Sequence, residues 1–256
     1  IYGLENPCSQ KIKNIYQALG VKVAPLSMDS EGIRLSLDNL TVPDILHISP
    51  SHHFPTGIVT SVSRRYGLLQ WANEINNRYI IEDDYDSEFR LQGKPIPSLF
   101  SMDTTNKVIY INTFTKSLAS TIRISYMVLP KSLLAEYEKK LGFYACTVSN
   151  FEQYALAAFI KERHFEKHLN RMRNHYRNLR NDLIAKFKSS ALKDKIVISE
   201  ENSGLHFLLQ IDTQADDDTL KKRAKKEGVL VAFLSDYLSQ DFHHASHAYA
   251  HTAIIN

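Results

Sequence analysis

Cysteine is scarce. The 256 residues hold two, Cys8 and Cys146, which read as inert thiols and exclude a disulfide framework. That usage predicts a reducing, cytoplasmic setting. No apolar run reaches the ~18 residues of a membrane-spanning helix. The opening residues, Ile1-Tyr2-Gly3-Leu4-Glu5, lack the basic region and apolar core of a signal peptide. They also lack an initiator methionine, which predicts a piece of a longer chain. Neither sign of charge dominates: 31 basic against 28 acidic residues, net +3, say little about partners. Hydrophobic residues at 43% and charged residues at 23% are ordinary globular values, so disorder, collagen and coiled coil are excluded as the main architecture. At roughly 150 residues per domain, the length suits one large α/β domain with a smaller companion. Such a chain buries roughly 70% of its unfolded surface and needs no staple.

The first half alternates strands with helices. Val21 to Leu26, Ile45 to Ile48, Tyr79 to Ile81, Val108 to Ile111 and Ile124 to Leu129 read as strands. Lys11 to Ala18 and Ser61 to Asn77 read as helices, the second capped by Ser61 or Ser63. That alternation predicts a mostly parallel sheet with helices on both faces. The second half differs. Helices are expected at Ser132 to Lys140, Asn150 to Glu162, Phe165 to Phe187 and Asp216 to Lys226, with strands at Ile196 to Ile198, Leu205 to Ile211 and Val229 to Phe233. This predicts a large domain over 1–155 and a smaller α+β domain over 156–256, entered through a long helix.

Chemistry concentrates at strand ends, where open α/β sheets bind ligands. Five carboxylates fall in seven residues at Glu82-Asp83-Asp84-Tyr85-Asp86-Ser87-Glu88. Alone, that run reads as a site for a metal or cationic group, or as a solvated acidic turn. Lys116 follows a second strand, and Arg123 lies seven residues on. A lone lysine there is ordinarily a surface residue. In company with a strand-end aspartate and an arginine it matches the parts a pyridoxal phosphate site needs. These are an amine for the Schiff base, a carboxylate for the ring nitrogen, and a cation for the phosphate.

Three runs carry a resemblance. They are His47-Ile48-Ser49-Pro50-Ser51-His52-His53-Phe54-Pro55-Thr56-Gly57, then Ile81 to Arg90, then Thr113-Phe114-Thr115-Lys116-Ser117-Leu118 with Arg123-Ile124-Ser125-Tyr126. Together they resemble the MocR/GabR family of bacterial transcription regulators, a branch of the GntR family. The likeness extends through His164 to Leu169 and Gly204-Leu205-His206-Phe207. Members join an N-terminal winged helix-turn-helix to a domain shaped like a fold-type I aminotransferase. The resemblance implies that Lys116 carries the Schiff base and Asp83 partners the ring nitrogen. It implies that Tyr85 donates to the ring oxygen, and that Arg123, Thr113 and Thr115 form part of a phosphate cup. His53 and Phe54 become pocket wall, Phe54 standing where aminotransferases carry asparagine. It further implies a head-to-tail homodimer, an amino-compound effector or the cofactor itself as signal, and DNA binding through a domain outside this sequence. The rival reading is a working class I aminotransferase; a third is a relic that has lost its cofactor.

Three departures from the family stand out. The Gly-rich helix start that cradles the phosphate would lie upstream of Ile1. The aromatic residue that stacks on the ring is replaced by Ser9, and such a stack is worth about 0.5–1.5 kcal/mol. The substrate-gripping arginine of aminotransferases would lie beyond Asn256. Two further signals have plain readings. Lys161 to Lys188 holds nine Lys or Arg, yet Leu169, Met172, Tyr176, Leu179, Leu183 and Phe187 recur at helical spacing, which predicts a solvated basic face rather than a nucleic-acid stripe. His243, His247 and His251 would share one helix face suited to zinc. With no other ligand nearby except Asp241, a surface segment is the expectation and no metal is assigned.

Overall fold

The computed structural model describes residues 1–34, 43–91, 96–201, 204–239 and 249–256. The first sheet has seven strands in the order β3-β2-β1-β4-β5-β6-β7. They are β1 (Tyr2–Asn6), β2 (Val23–Asp29), β3 (Gly32–Ile33), β4 (Ile45–Ile48), β5 (Tyr79–Asp83), β6 (Val108–Thr113) and β7 (Ser125–Val128). The interior pairs are parallel and the two edge pairs antiparallel. This is a mostly parallel sheet, as the alternation of patterns implied. β1 sits in the middle, although five residues with a glycine and a polar end gave no strand signal. Gly3 is what lets it sit there. A methyl at this position would stand 2.8 Å from both Leu26 Cδ1 and Leu46 Cδ2 on the neighbouring strands.

Helix α1 (Gln10–Ala18) follows β1, and α2 (Val62–Glu74) packs on the sheet. Ser61 caps α2 by accepting from Arg64 N–H at 3.2 Å, which satisfies one orphan donor of the first turn. Leu68, Leu69, Trp71 and Ala72 of α2 meet Leu26, Leu46, Ile48, Ile80 and Val108 in one core. Helix α3 (Leu99–Met102) is short, while α4 (Lys131–Leu141), α5 (Asn150–Lys161) and α6 (His164–Ser189) follow in turn.

The second sheet is antiparallel, ordered β10-β11-β9-β8. It comprises β8 (Ile196–Ser199), β9 (Phe207–Ile211), β10 (Ala232–Phe233) and β11 (Thr252–Ile255), with α7 (Asp217–Lys226) between β9 and β10. Two expectations need correction. The strand expected from Val229 shrinks to two residues, because Val229 and Leu230 are exposed. The basic face of α6 is not simply solvated. Arg173 donates to Glu88 O, Arg177 to Leu91 O at 3.2 Å, and Arg180 to Glu201 O. These guanidiniums tie the long helix to the turn after β5 and to the segment before β9. His243, His244 and His247 lie outside the described residues, and the ring of His251 stands 3.3 Å from Asp217. Among the described residues no cluster of His, Cys, Asp and Glu could hold a metal, and no helix is long and apolar enough to cross a membrane.

One buried cation organises the loops above the sheet. Arg65 is fully buried. It donates to Thr60 O at 3.1 Å, Pro97 O at 2.9 Å and Pro50 O at 2.6 Å, and lies 3.8 Å from Glu82. Arg65→Met should therefore cost about 3–5 kcal/mol, since it strands three carbonyls and one carboxylate. Urea unfolding reads this directly. A loss below about 1 kcal/mol would show that Arg65 does not hold these loops.

Candidate functional site

The strand β5 carries its extended backbone into the acidic run, and successive side chains there point to opposite sides. Glu82, Asp84 and Asp86 turn into the protein and are buried. Glu82 accepts the N–H groups of Leu99 at 2.9 Å and Phe100 at 2.8 Å, at the start of α3. Burial pushes its carboxyl up to about 7, against the pull of those two bonds. Asp84 accepts from Tyr110 at 2.6 Å and Ser87 at 2.8 Å. Asp86 lies 2.8 Å from His52 Nδ1. His52 reaches that position only because residue 204 is glycine: a Cβ there would stand 1.9 Å from the His52 ring. The acidic run is therefore neither a solvated turn nor a metal cluster. Three carboxylates have buried partners. The Tyr85 hydroxyl stands 3.3 Å from the His52 nitrogen that Asp86 also meets, and Asp83 and Tyr85 both border open space.

They face a cavity of about 470 Å³, a size typical of small-molecule sites. Its lining includes Glu5, Ser9, His47, His53, Phe54, Asp83, Tyr85 and Lys116. Five of the eight residues expected at the site thus converge: Asp83, Tyr85, Lys116, His53 and Phe54. The other three do not line it. Thr113 donates to Ile124 O at 3.2 Å, and Thr115 to Ile122 O at 3.0 Å, so both hydroxyls brace the segment after Lys116. Arg123 is exposed. Lys116 is also exposed, and its amine has no hydrogen-bond partner among the described residues. It lines a second cavity of about 420 Å³ as well, shared with Thr115, Met172, Tyr176 and His206.

Sequence reasoning missed several wall residues, among them Glu5, His47 and Lys11. Glu5 lies next to the end of β1 (Tyr2–Asn6), a strand that the sequence pattern did not reveal. The Glu5 carboxylate accepts Ser49 N–H at 2.9 Å and lies 3.4 Å from His53 Nε2. Burial pushes Glu5 up to about 8, so it is a neutral acid near pH 7. Burial, then the neighbouring His52 and His206, holds His53 down to about 3. His53 is therefore a neutral ring, with its Nδ1 2.7 Å from Thr56 Oγ1. Burial first, and then the charge of Asp86, keeps the Tyr85 phenol well above its usual range. It remains a donor. Cys8, also in the wall, is pushed up to about 11 by burial, so it stays a thiol as expected.

The sequence profile of aminotransferase class I and II matches residues 5–238. The chain is 40% identical over 229 residues to a protein of Bacillus subtilis named "Uncharacterized HTH-type transcriptional regulator YdeL", over 90% of this chain and 49% of that one. It is 31% identical to the "Probable rhizopine catabolism regulatory protein MocR" of Rhizobium meliloti, over 91% of this chain and 47% of that one. The chain thus spans about half the length of these relatives. Among solved structures, the Pyrococcus horikoshii kynurenine aminotransferase in complex with PMP superposes with a TM-score of 0.81 at 22% identity, over 100% of this chain and 63% of that one. At that identity the likeness establishes the fold-type I aminotransferase architecture.

Because the Glu5 carboxyl is raised from 4.5 to about 8, its contribution to stability is full below pH 4.5 and is lost as pH rises through 8. Glu5→Gln fixes the neutral form. Relative to the variant, the wild type should lose a few kcal/mol between those limits, at about 1.4 kcal/mol per unit. Thermal unfolding against pH checks this, and parallel curves for the two proteins would contradict it.

Proposed function

This chain belongs to the aminotransferase class I and II family, and we propose that it is the cofactor- and effector-binding part of a MocR/GabR-type transcription regulator. One observation carries the reading. A cavity that gathers an amine, a carboxylate and a phenol occurs in a chain whose curated relatives are named as regulators. The residues fit pyridoxal phosphate. Leu4, Ile12 and Phe54 give the cavity apolar walls for a flat ring. Asp83 offers a carboxylate to a protonated ring nitrogen, Tyr85 a phenolic proton to the ring oxygen, and Lys116 an amine with no hydrogen-bond partner among the described residues for covalent attachment. Thr113, Thr115 and Arg123 do not line this cavity, and their place on the phosphate side rests on the family resemblance alone. When bound, the cofactor supplies an electrophilic carbon and an electron-withdrawing ring.

The chain's own groups then have defined tasks. His53 and Glu5, both neutral, form a wall that adds no charge beside Asp83. Tyr85 holds its proton at the cavity. Lys116 is the attachment point for which an amino-compound effector would contend. Such a ligand shifts the balance between two arrangements only by binding one better than the other. The two arrangements would be those of a large domain, 1–155, against a small one, 156–256. α6 belongs to the second range and reaches the first through Arg173 and Arg177, so those contacts are where the change would be felt.

DNA binding belongs in this reading to a helix-turn-helix domain outside the chain. The partner is a second copy, paired head to tail. In the connection from α4 to α5 and along α5, Phe143 is 77% exposed, Phe151 82% and Tyr154 77%. A run of large exposed apolar side chains of this kind marks an interaction surface.

Borohydride reduction of the cofactor-loaded protein should fix the label on Lys116. Lys116→Ala should abolish that label with an unchanged circular dichroism spectrum. A label at a single other lysine would overturn the assignment.

A further inference from the structure

We propose that Tyr16 and His47 form a relay that orients the Asp83 carboxylate, His47 acting as a positioning residue for the group that meets the cofactor's ring nitrogen. The inference rests on the role given to Asp83 above. It arises from three neighbouring elements that meet behind the cavity. Tyr16 comes from α1, His47 from β4 and Asp83 from the end of β5. In the parallel pairing of β4 with β5, His47 lies opposite Ile81. Asp83, two residues on, shares that face.

The distances order the three groups. Tyr16 Oη lies 2.7 Å from His47 Nδ1. His47 Nε2 lies 3.6 Å from Asp83 Oδ2. That nitrogen is buried and has no hydrogen-bond partner, which is costly for a polar atom unless a partner closes on it. The Tyr16 ring is held edge-on against Tyr2 at 4.8 Å and against His47 at 5.8 Å, so its hydroxyl has little freedom to leave.

The direction of the relay is set by what each end of the ring faces. Nε2 faces the carboxylate oxygen Asp83 Oδ2, an acceptor, and Nδ1 faces the Tyr16 hydroxyl. The tautomer that serves both places the ring hydrogen on Nε2 and lets Tyr16 donate to Nδ1. That N–H faces Asp83 Oδ2. A separation of 3.6 Å is longer than a hydrogen bond. Site contacts of this kind tighten when the ligand side is filled. Asp83 is then gripped from the sheet side by one oxygen, and the other is left to the cavity.

The test uses the intact protein, with pyridoxal phosphate as the probe. In the cofactor-free state, ¹⁵N chemical shifts of His47 should report the Nε2–H form, and Tyr16→Phe should mix the two tautomers. His47→Leu should weaken cofactor binding about tenfold, within the range seen when an orienting partner is removed. His47→Gln, which keeps an N–H at that reach, should recover most of it. Tyr16→Phe combined with His47→Leu should add nothing to His47→Leu alone. The relay is overturned if the wild-type ring carries its hydrogen on Nδ1. It is equally overturned if His47→Leu binds as the wild type does while Asp83→Asn loses the cofactor. If Asp83→Asn itself retains the cofactor, the role of Asp83 falls and the relay with it, a result distinct from the other two.

Discussion

The site depends on how one turn distributes its negative charge. Five carboxylates in seven residues repel one another at the separations a turn imposes, unless each finds a different environment. Here the period of two of an extended chain does the sorting. Glu82, Asp84 and Asp86 enter the protein and meet a helix N-terminus beside Arg65, a pair of hydroxyls, and His52. Asp83 keeps the opposite side, and Tyr85 lines the same cavity while its hydroxyl reaches back to His52. A shift of one residue in this register would bury Asp83 and expose its neighbours. The scaffold that prevents it reaches far along the chain. Arg65 fixes the loops around Glu82, Gly204 makes room for His52, and arginines of α6 clamp the backbone at Glu88 and Leu91.

The wall opposite Asp83 shows the complementary device. Glu5 and His53 are both too deeply buried to be charged at neutral pH, and they stand against each other as neutral groups. With those two neutral, the charged side chains of the wall are Asp83 and two lysines, Lys11 and Lys116.

Much of this was legible in the sequence, and the remainder was not, for physical reasons. The strands β4, β5 and β6 announce themselves as apolar runs, and the residues at their ends follow directly. The quoted motifs brought Asp83, Tyr85, Lys116, His53 and Phe54 to one cavity. Pattern alone could not reveal β1, whose value lies in Gly3 admitting two leucines and in Glu5 next to the strand's end. It could not reveal His47, which reads as the one polar interruption of an apolar strand. It left the acidic run open between a site for a metal or cationic group and a solvated turn, because periodicity does not show that Leu99 N–H or His52 lies opposite. It also misjudged α6. Helical spacing marks the apolar stripe, but not the backbone carbonyls that Arg173, Arg177 and Arg180 reach.

The central claim is that this cavity binds its cofactor and responds to an amine without turning it over. The most direct measurement is the absorbance spectrum of the intact protein with pyridoxal phosphate, before and after adding each of a panel of amino acids and amines. The account predicts a visible band that shifts with one amine and then holds. A band that decays to the amine form of the cofactor and recovers on addition of a keto acid would contradict it and establish a working aminotransferase.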